Sequence, residues 1–341
     1  MINQEDLKKR YCRISASALG YFKVDPLYFK NYIDRLLDED TPKYMELGVQ
    51  LHMYLLEPEE FQKNYTYLDV TKPRGANQIE FCEIIANSKL TEIEDKATTA
   101  YRLVYNLKGK SESKIKQEAY DLWFKLRDYV EYLQKTKLFK DILSNSTFKY
   151  LTEVKYQAEN HIKVKELLYD SNSIIDTGDV FTANEQLILW EHPTIMYKGS
   201  KLVLKSFLDR LVVDHTNKVI KLIDLKTSSN LHDFRHSYDE YRYQRQMAFY
   251  WGAVDYFFKN KFTDKDINEY TKETYIVGIQ TPNFQKDYPI RCKVFPVSNE
   301  DIQDGHNEVE EILNDIKWHM DSNKWAHSRS YYENNGLETT L

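Results

Sequence analysis

Apolar and polar positions alternate most clearly between residues 203 and 226. Val203 to Val213 and Lys218 to Lys226 are rich in Val, Ile and Leu, and the intervening Asp214-His215-Thr216-Asn217 is turn-like. The pattern predicts a β-hairpin. A four-residue loop at 214–217 pairs Val213 with Lys218 and sets Asp209 opposite Leu222. That register makes Asp209 diagonal to Asp224, at roughly 7 Å between backbone positions. Side chains alternate along a strand, so Asp209, Asp224 and Lys226 share one face while Ile223 and Leu225 point to the other.

Elsewhere the spacing is helical. Ile115, Ala119, Leu122, Leu126, Tyr129 and Leu133 recur four and three apart and predict an amphipathic helix ending near Lys137. Residues 77–89 and 91–107 read as helices, as do 15–38 and 44–57, broken near Asp40-Thr41-Pro42. Asp25-Pro26 inside the first of these suits a turn or a helix start. Residues 150–168 are helical or mixed. Glu185 to Trp190 reads as the first core strand, Tyr241 to Phe258 as a helix, and 273–280 and 290–297 as strands. An amphipathic helix over 299–323 and a poorly ordered tail from Ser328 complete the chain. The expected fold is α/β, a central mixed sheet flanked by helices. Residues 66–150 read as a helical insertion within a single domain spanning 1–341, and Lys72 to Asn77 as a basic loop at the surface or against DNA.

Two acids and a lysine converging at one end of a hairpin suit a divalent cation and the handling of a nucleophilic water. An isolated Asp-x-Lys is more often a solvated surface pair, so other positions matter. Gln246 and Tyr250, four apart, share a helix face, although Phe249, Ala253 and Phe257 could make that helix a plain core element. Gly48 and His52 stand in G-x-x-x-H spacing, with a core histidine beside Leu51 and Leu55 as the simpler account.

In the order His52, Asp209, Asp224-Leu225-Lys226, Gln246-x-x-x-Tyr250, the chain resembles the PD-(D/E)xK nuclease superfamily. The resemblance covers roughly 13–61 and 185–258 and is strongest to phage RecE-like (exodeoxyribonuclease VIII) and lambda-type exonucleases, with RecB-type motifs. It implies a restriction-endonuclease-like core that uses Mg²⁺, with Mn²⁺ able to substitute. His52, Asp209, Asp224 and the Leu225 carbonyl would be ligands. Lys226 would orient or deprotonate the attacking water, Gln246 would position Lys226 or that water, and Tyr250 would contact the phosphate or support the shell. Glu185 resembles an active-site glutamate of lambda-type exonucleases, a surface strand-end acid being the alternative. Arg13 and Ser17 match a segment that grips a terminal 5′-phosphate, while Ser15 or Ser17 could equally cap a helix.

The implied function is a metal-dependent DNA exonuclease working 5′→3′ from duplex ends in phage-type recombination, beside a single-strand annealing protein and as a homo-oligomer. A RecB-like endonuclease, a single-strand nuclease and a non-catalytic DNA-binding relative are the alternatives. Retention of His52, Asp209, Asp224 and Lys226 together speaks against the last.

Composition changes this picture little. The 341 residues could form one large domain or two small ones. No run of eighteen apolar residues and no signal-like N-terminus occurs, so the expectation is a soluble protein of the cytoplasm (the bacterial host's, if phage-encoded) with no membrane partner. Cys12, Cys82 and Cys292 are far apart, which argues against a disulfide framework and a four-cysteine iron–sulfur cluster. A formal charge of -6 lacks the usual basic footprint of a DNA-binding protein, but clustered acids at a metal beside a separate lysine-lined groove give the same balance. The 27 tyrosines could stack on bases, or reflect codon bias.

Overall fold

The computed structural model describes residues 13–37, 43–67, 70, 72–135, 141–170, 179–282 and 289–337. The break expected at Asp40-Thr41-Pro42 lies outside them. The chain divides into two compact units, one holding the segments up to Glu57 and from Glu153, the other Pro58–Thr152. Along the chain come α1 (Ala16–Val24), α2 (Pro26–Ile33), α3 (Lys43–Leu56), α4 (Pro58–Asn64), β1 (Tyr65–Tyr67), α5 (Ala76–Asn87) and α6 (Ile93–Val104). Next are α7 (Glu112–Lys135), β2 (Asp141–Leu143), α8 (Asn145–Asn160) and α9 (Ile162–Lys165), which runs into a π-helical turn at Glu166–Asp170. The remainder is β3 (Val180–Tyr197), β4 (Ser200–Asp214), β5 (Val219–Ser228), α10 (Phe234–Glu240), α11 (Tyr243–Lys261), β6 (Thr271–Gln280), β7 (Cys292–Pro296), α12 (Asn299–Ser322) and α13 (Arg329–Glu333). Among the described residues no helix is long and apolar enough to cross a membrane.

Unit 58–152 has its own core. Ile115, Ala119 and Tyr129 of α7 pack with Phe81, Cys82 and Ile85 of α5 and Ala97, Ala100 and Tyr101 of α6. Leu122, Leu126 and Leu133 fill the edges, so the four-three spacing describes the buried stripe. A short parallel pair, β1 with β2, accompanies these helices.

The larger unit is built on a five-stranded mixed sheet in the order β3-β4-β5-β6-β7. Only β5 and β6 are parallel, and they are joined by the crossover through α10 and α11. This is the α/β architecture, a central mixed sheet flanked by helices, that the sequence predicts. The first core strand extends well beyond 185–190, and the helix expected over 15–38 is two. Asp25 ends α1 and caps α2, its Oδ1 accepting from the Tyr28 amide at 2.7 Å, while Pro26 supplies the first helical position. Within the segment from 328, the Ser328 hydroxyl accepts from Tyr331 N and starts α13.

The hairpin register differs from the expected one by two residues. Asp214 pairs with Val219 and Val213 with Ile220, so the loop is 215–218. The cause is local: the Asp214 carboxylate accepts from Asn217 N at 2.9 Å and Asn217 Nδ2 at 2.7 Å, and Lys218 takes the left-handed conformation at φ 55°. A shift of two keeps every side chain on its face. It moves Asp209 from a diagonal of Asp224 to the position level with it, next after the Arg210–Ile223 pair.

Helix α11 lies over the sheet with Met247, Ala248, Trp251 and Val254 buried, and α12 backs it with Val309, Ile312, Leu313 and Ile316 at helical spacing. The two helices approach closely at Gly305, where an added Cβ would overlap the Gln244 carbonyl oxygen and sit 3.0 Å from Ala248 Cβ. Because the obstacle is backbone, Gly305→Ala should destabilise the protein by about 1–3 kcal/mol. Urea denaturation measures this, and an unchanged midpoint would contradict the packing described.

Candidate active site

Two apolar rows run across the sheet and lead into a third that is acidic. Phe181, Val213 and Ile220 are level on β3, β4 and β5, as are Ala183, Leu211 and Leu222. The next row is Glu185, Asp209 and Asp224. Asn184 pairs with Arg210 and Gln186 with Leu208, which places Glu185 opposite Asp209. Glu185 sits at φ 46°, a left-handed backbone that interrupts the ladder at this residue. Asp209 is 7% exposed and Asp224 1%. Carboxylates so placed repel by several kcal/mol, on the order of 4 kcal/mol for unit charges 4 Å apart near a protein surface, so compensation must be close.

It comes from three elements. His52, on α3, has Nδ1 3.5 Å from Glu185 Oε1 and 3.5 Å from Asp209 Oδ1. Gly48, one turn earlier, lies where α3 passes the end of β5, since a Cβ there would be 3.9 Å from Thr227 Oγ1. On β5, Lys226 Nζ is 2.7 Å from Asp224 Oδ2, and the Leu225 amide donates to Asp209 Oδ2 at 2.6 Å. From α11, Gln246 Nε2 donates to the Tyr250 hydroxyl at 2.8 Å and reaches Asp224 Oδ1 at 3.4 Å. The helical spacing of four that joins Gln246 to Tyr250 is thus used directly.

The charges of the cluster are interdependent. Burial works against a charged His52, but Asp209 and Glu185 outweigh it and raise the imidazole to about 10. Burial and the neighbouring Asp209 push Asp224 up to about 6, against the pull of Lys226. Burial also raises Asp209, yet His52, Lys226 and the Leu225 amide together hold it below the ordinary aspartate value. Lys226 loses solvation, but Asp224 and Asp209 raise it well above an ordinary lysine.

The donor set fits a divalent cation. Ligand atoms of His52, Glu185 and Asp209 all lie within 4.8 Å of one another. Glu185 Oε1 is buried and accepts no hydrogen bond, and Asp224 Oδ2 has the Lys226 ammonium near it but no well-formed hydrogen bond. Glu185, read from sequence as catalytic, thus stands with His52 and Asp209 in a triad able to hold a metal ion. Asp224, read as a ligand, is turned toward Lys226 and Gln246. Leu225 contributes its amide.

Arg13 Nη1 donates to the Tyr32 carbonyl at 2.7 Å and its guanidinium lies 4.5 Å from the Tyr32 ring centre. Ser15, not Ser17, caps α1 by accepting from the Ala18 amide, and Ser17 is exposed on the first turn.

One functional support was not read from sequence. Arg210, fully buried, donates from Nε to the Leu167 carbonyl at 2.8 Å and from Nη1 to Asn184 Oδ1 at 2.6 Å. Asn184 Nδ2 donates in turn to the Leu56 carbonyl at 2.8 Å. These residues flank the acidic row on β3 and β4, and Leu56 lies one turn beyond His52 on α3. The relay fixes the helix that carries the histidine to the strands that carry the acids. Its signal in the sequence was an arginine inside the apolar run 207–213.

Asn184→Ala leaves a buried guanidinium and a carbonyl short of a partner and should cost about 2 kcal/mol, read by urea denaturation. Full wild-type stability would refute the relay. The raised His52 gives a second expectation. Its proton is held more tightly in the folded than in the unfolded chain, so the stabilisation is complete below about pH 6.5 and is lost as pH rises toward 10. In EDTA the thermal midpoint should fall across that window, and His52→Gln should flatten the slope. Equal slopes in the two proteins would contradict the His52–carboxylate coupling.

No family model matches this chain, and none of the curated proteins does. Among solved structures it is similar to one from Eubacterium rectale named as a "Putative exonuclease", at 11% sequence identity and a TM-score of 0.49, over 100% of this chain and 96% of that one.

Proposed function

We propose that this chain is a metal-dependent deoxyribonuclease that hydrolyses phosphodiester bonds from the ends of duplex DNA, 5′→3′, in phage-type recombination or DNA processing. The observation that carries the reading is the level row of Glu185, Asp209 and Asp224, with His52 against one end and Lys226 against the other. Phosphodiester hydrolysis needs an activated water, neutralisation of phosphate charge and stabilisation of the departing oxygen. A buried acidic row with one lysine and one imidazole suits that set of tasks.

His52, Glu185 and Asp209 would hold the cation, joined by Asp224 and the Leu225 carbonyl. The N–H and C=O of a strand residue leave on the same edge, so that carbonyl points to the Asp209 side. Carboxylate oxygens suit Mg²⁺, and the imidazole lets Mn²⁺ substitute. When bound, the cation supplies phosphate neutralisation and a more acidic water.

The chain's own groups do the rest. Lys226, held by Asp224, orients the attacking water and offsets phosphate charge. Gln246 fixes the Asp224 carboxylate that holds Lys226. Burial and then Asp224 keep the Tyr250 phenol protonated, so it serves as a donor to the phosphate or its shell. Arg13 and Ser17 hold a terminal 5′-phosphate. The same reading takes a single-strand annealing protein as partner and a homo-oligomer as the working form.

End-labelled linear duplex with 5′-phosphate or 5′-hydroxyl, and closed circular duplex, incubated with Mg²⁺, Mn²⁺ or EDTA at one ionic strength, tests this. Mononucleotide release from linear DNA in metal, faster from 5′-phosphate, is expected. Asp224→Ala and Lys226→Ala should each lower the rate at least about a hundredfold while the fold is retained. Wild-type activity in either variant would remove the row as the site, and rapid cutting of closed circles would replace the exonuclease with an endonuclease.

A further inference from the structure

Between α10 and α11 the backbone makes a costly turn. Arg242 takes φ 54° and ψ 52°, a left-handed conformation in which a long side chain is strained. Such strain persists only where surrounding contacts over-determine it. Here Arg242 Nη2 and Nε donate to Glu308 Oε2 at 2.7 and 3.1 Å, and Arg245 Nη1 donates to Glu308 Oε1 at 2.8 Å. The Arg242 carbonyl accepts from Arg245 N at 3.0 Å and from Gln246 N at 3.2 Å. The turn is thereby tied to α12 and to the helical turn that carries Gln246.

What this braced turn presents is Tyr241. It is 60% exposed, whereas Tyr243 beside it is 8% exposed. The two rings are 5.9 Å apart at 33°. Tyr243 in turn lies 5.2 Å from Lys226 Nζ and packs on Phe234, which stacks on Phe295 at 4.5 Å. Tyr241 is the solvent-facing end of an aromatic series that starts at the lysine of the acidic row. Core packing explains Tyr243, Phe234 and Phe295, but an aromatic ring left mostly in water gains little from burial.

We propose that Tyr241 is a stacking platform for an unpaired nucleobase of the strand held at the acidic row. The proposal rests on the nuclease reading above and adds a binding subsite to it. An exposed ring on a braced turn, one aromatic neighbour away from Lys226, offers a π-face to any base, so the contact is independent of base identity. Its ligand is the nucleobase next to the phosphate under attack.

The test uses the full chain and single-stranded-ended duplexes carrying one abasic position, moved stepwise along the cleaved strand. Wild type, Tyr241→Ala and Tyr241→Phe are compared for affinity in Ca²⁺ and for KM and kcat in Mg²⁺. Tyr241→Ala should weaken binding and raise KM about 5- to 100-fold, with kcat little changed and Tyr241→Phe close to wild type. At one abasic position the wild type should fall to the level of Tyr241→Ala, and Tyr241→Ala should lose nothing further. That coincidence is a readout a merely structural role would not produce. A wild type that cleaves, with Tyr241→Ala equal to it on every substrate, overturns the platform and leaves the nuclease reading standing. A wild type inert with both Mg²⁺ and Mn²⁺ overturns the two together.

Discussion

Three carboxylates level across adjacent strands, in a place where apolar rows should continue, are the constraint around which this protein is arranged. Phe181, Val213 and Ile220, then Ala183, Leu211 and Leu222, would lead in an ordinary sheet to a third apolar row. Glu185, Asp209 and Asp224 stand there instead. Their repulsion is offset by His52 from α3, Lys226 and the Leu225 amide from β5, and the Gln246 amide from α11. Each compensating group comes from an element whose position is otherwise set by packing or by a buried polar relay. The Arg210–Asn184 relay ties α3 to β3 and β4, and Gly305 lets α12 press α11 onto the sheet. Fold and site are therefore one problem in electrostatics solved by several helices.

Much of this was legible in the sequence, for physical reasons. Alternation in 203–226 gives the face of Asp209, Asp224 and Lys226 whatever the exact register, because a shift of two residues preserves the face. The helical spacing of Gln246 and Tyr250 likewise survives small errors in helix bounds. The stripe Ile115, Ala119, Leu122, Leu126, Tyr129 and Leu133 is read correctly because it needs only one helix and its own period.

What was not legible depends on single backbone conformations and on contacts distant in sequence. The loop shift from 214–217 to 215–218 comes from Asp214 acting as an acceptor within the turn and from a left-handed Lys218, neither of which follows from β propensity. Glu185 comes beside His52 and Asp209 through its own left-handed backbone and its place opposite Asp209, set by the long β3–β4 pairing. Asp224 is paired with a lysine two residues on. The relay through Arg210 spans residues 56 to 210 and could be suspected only from a charge inside an apolar run.

The central proposal is that the acidic row holds a divalent cation through His52, Glu185 and Asp209. A crystal structure with Mn²⁺, with anomalous diffraction recorded at the manganese edge, measures this directly. The account predicts an anomalous peak bonded to His52, Glu185 and Asp209, at about 2.0–2.3 Å from each ligand atom. Crystals at millimolar Mn²⁺ that show no peak among these three residues, with His52 Nδ1 still 3.5 Å from the two carboxylates, would contradict it.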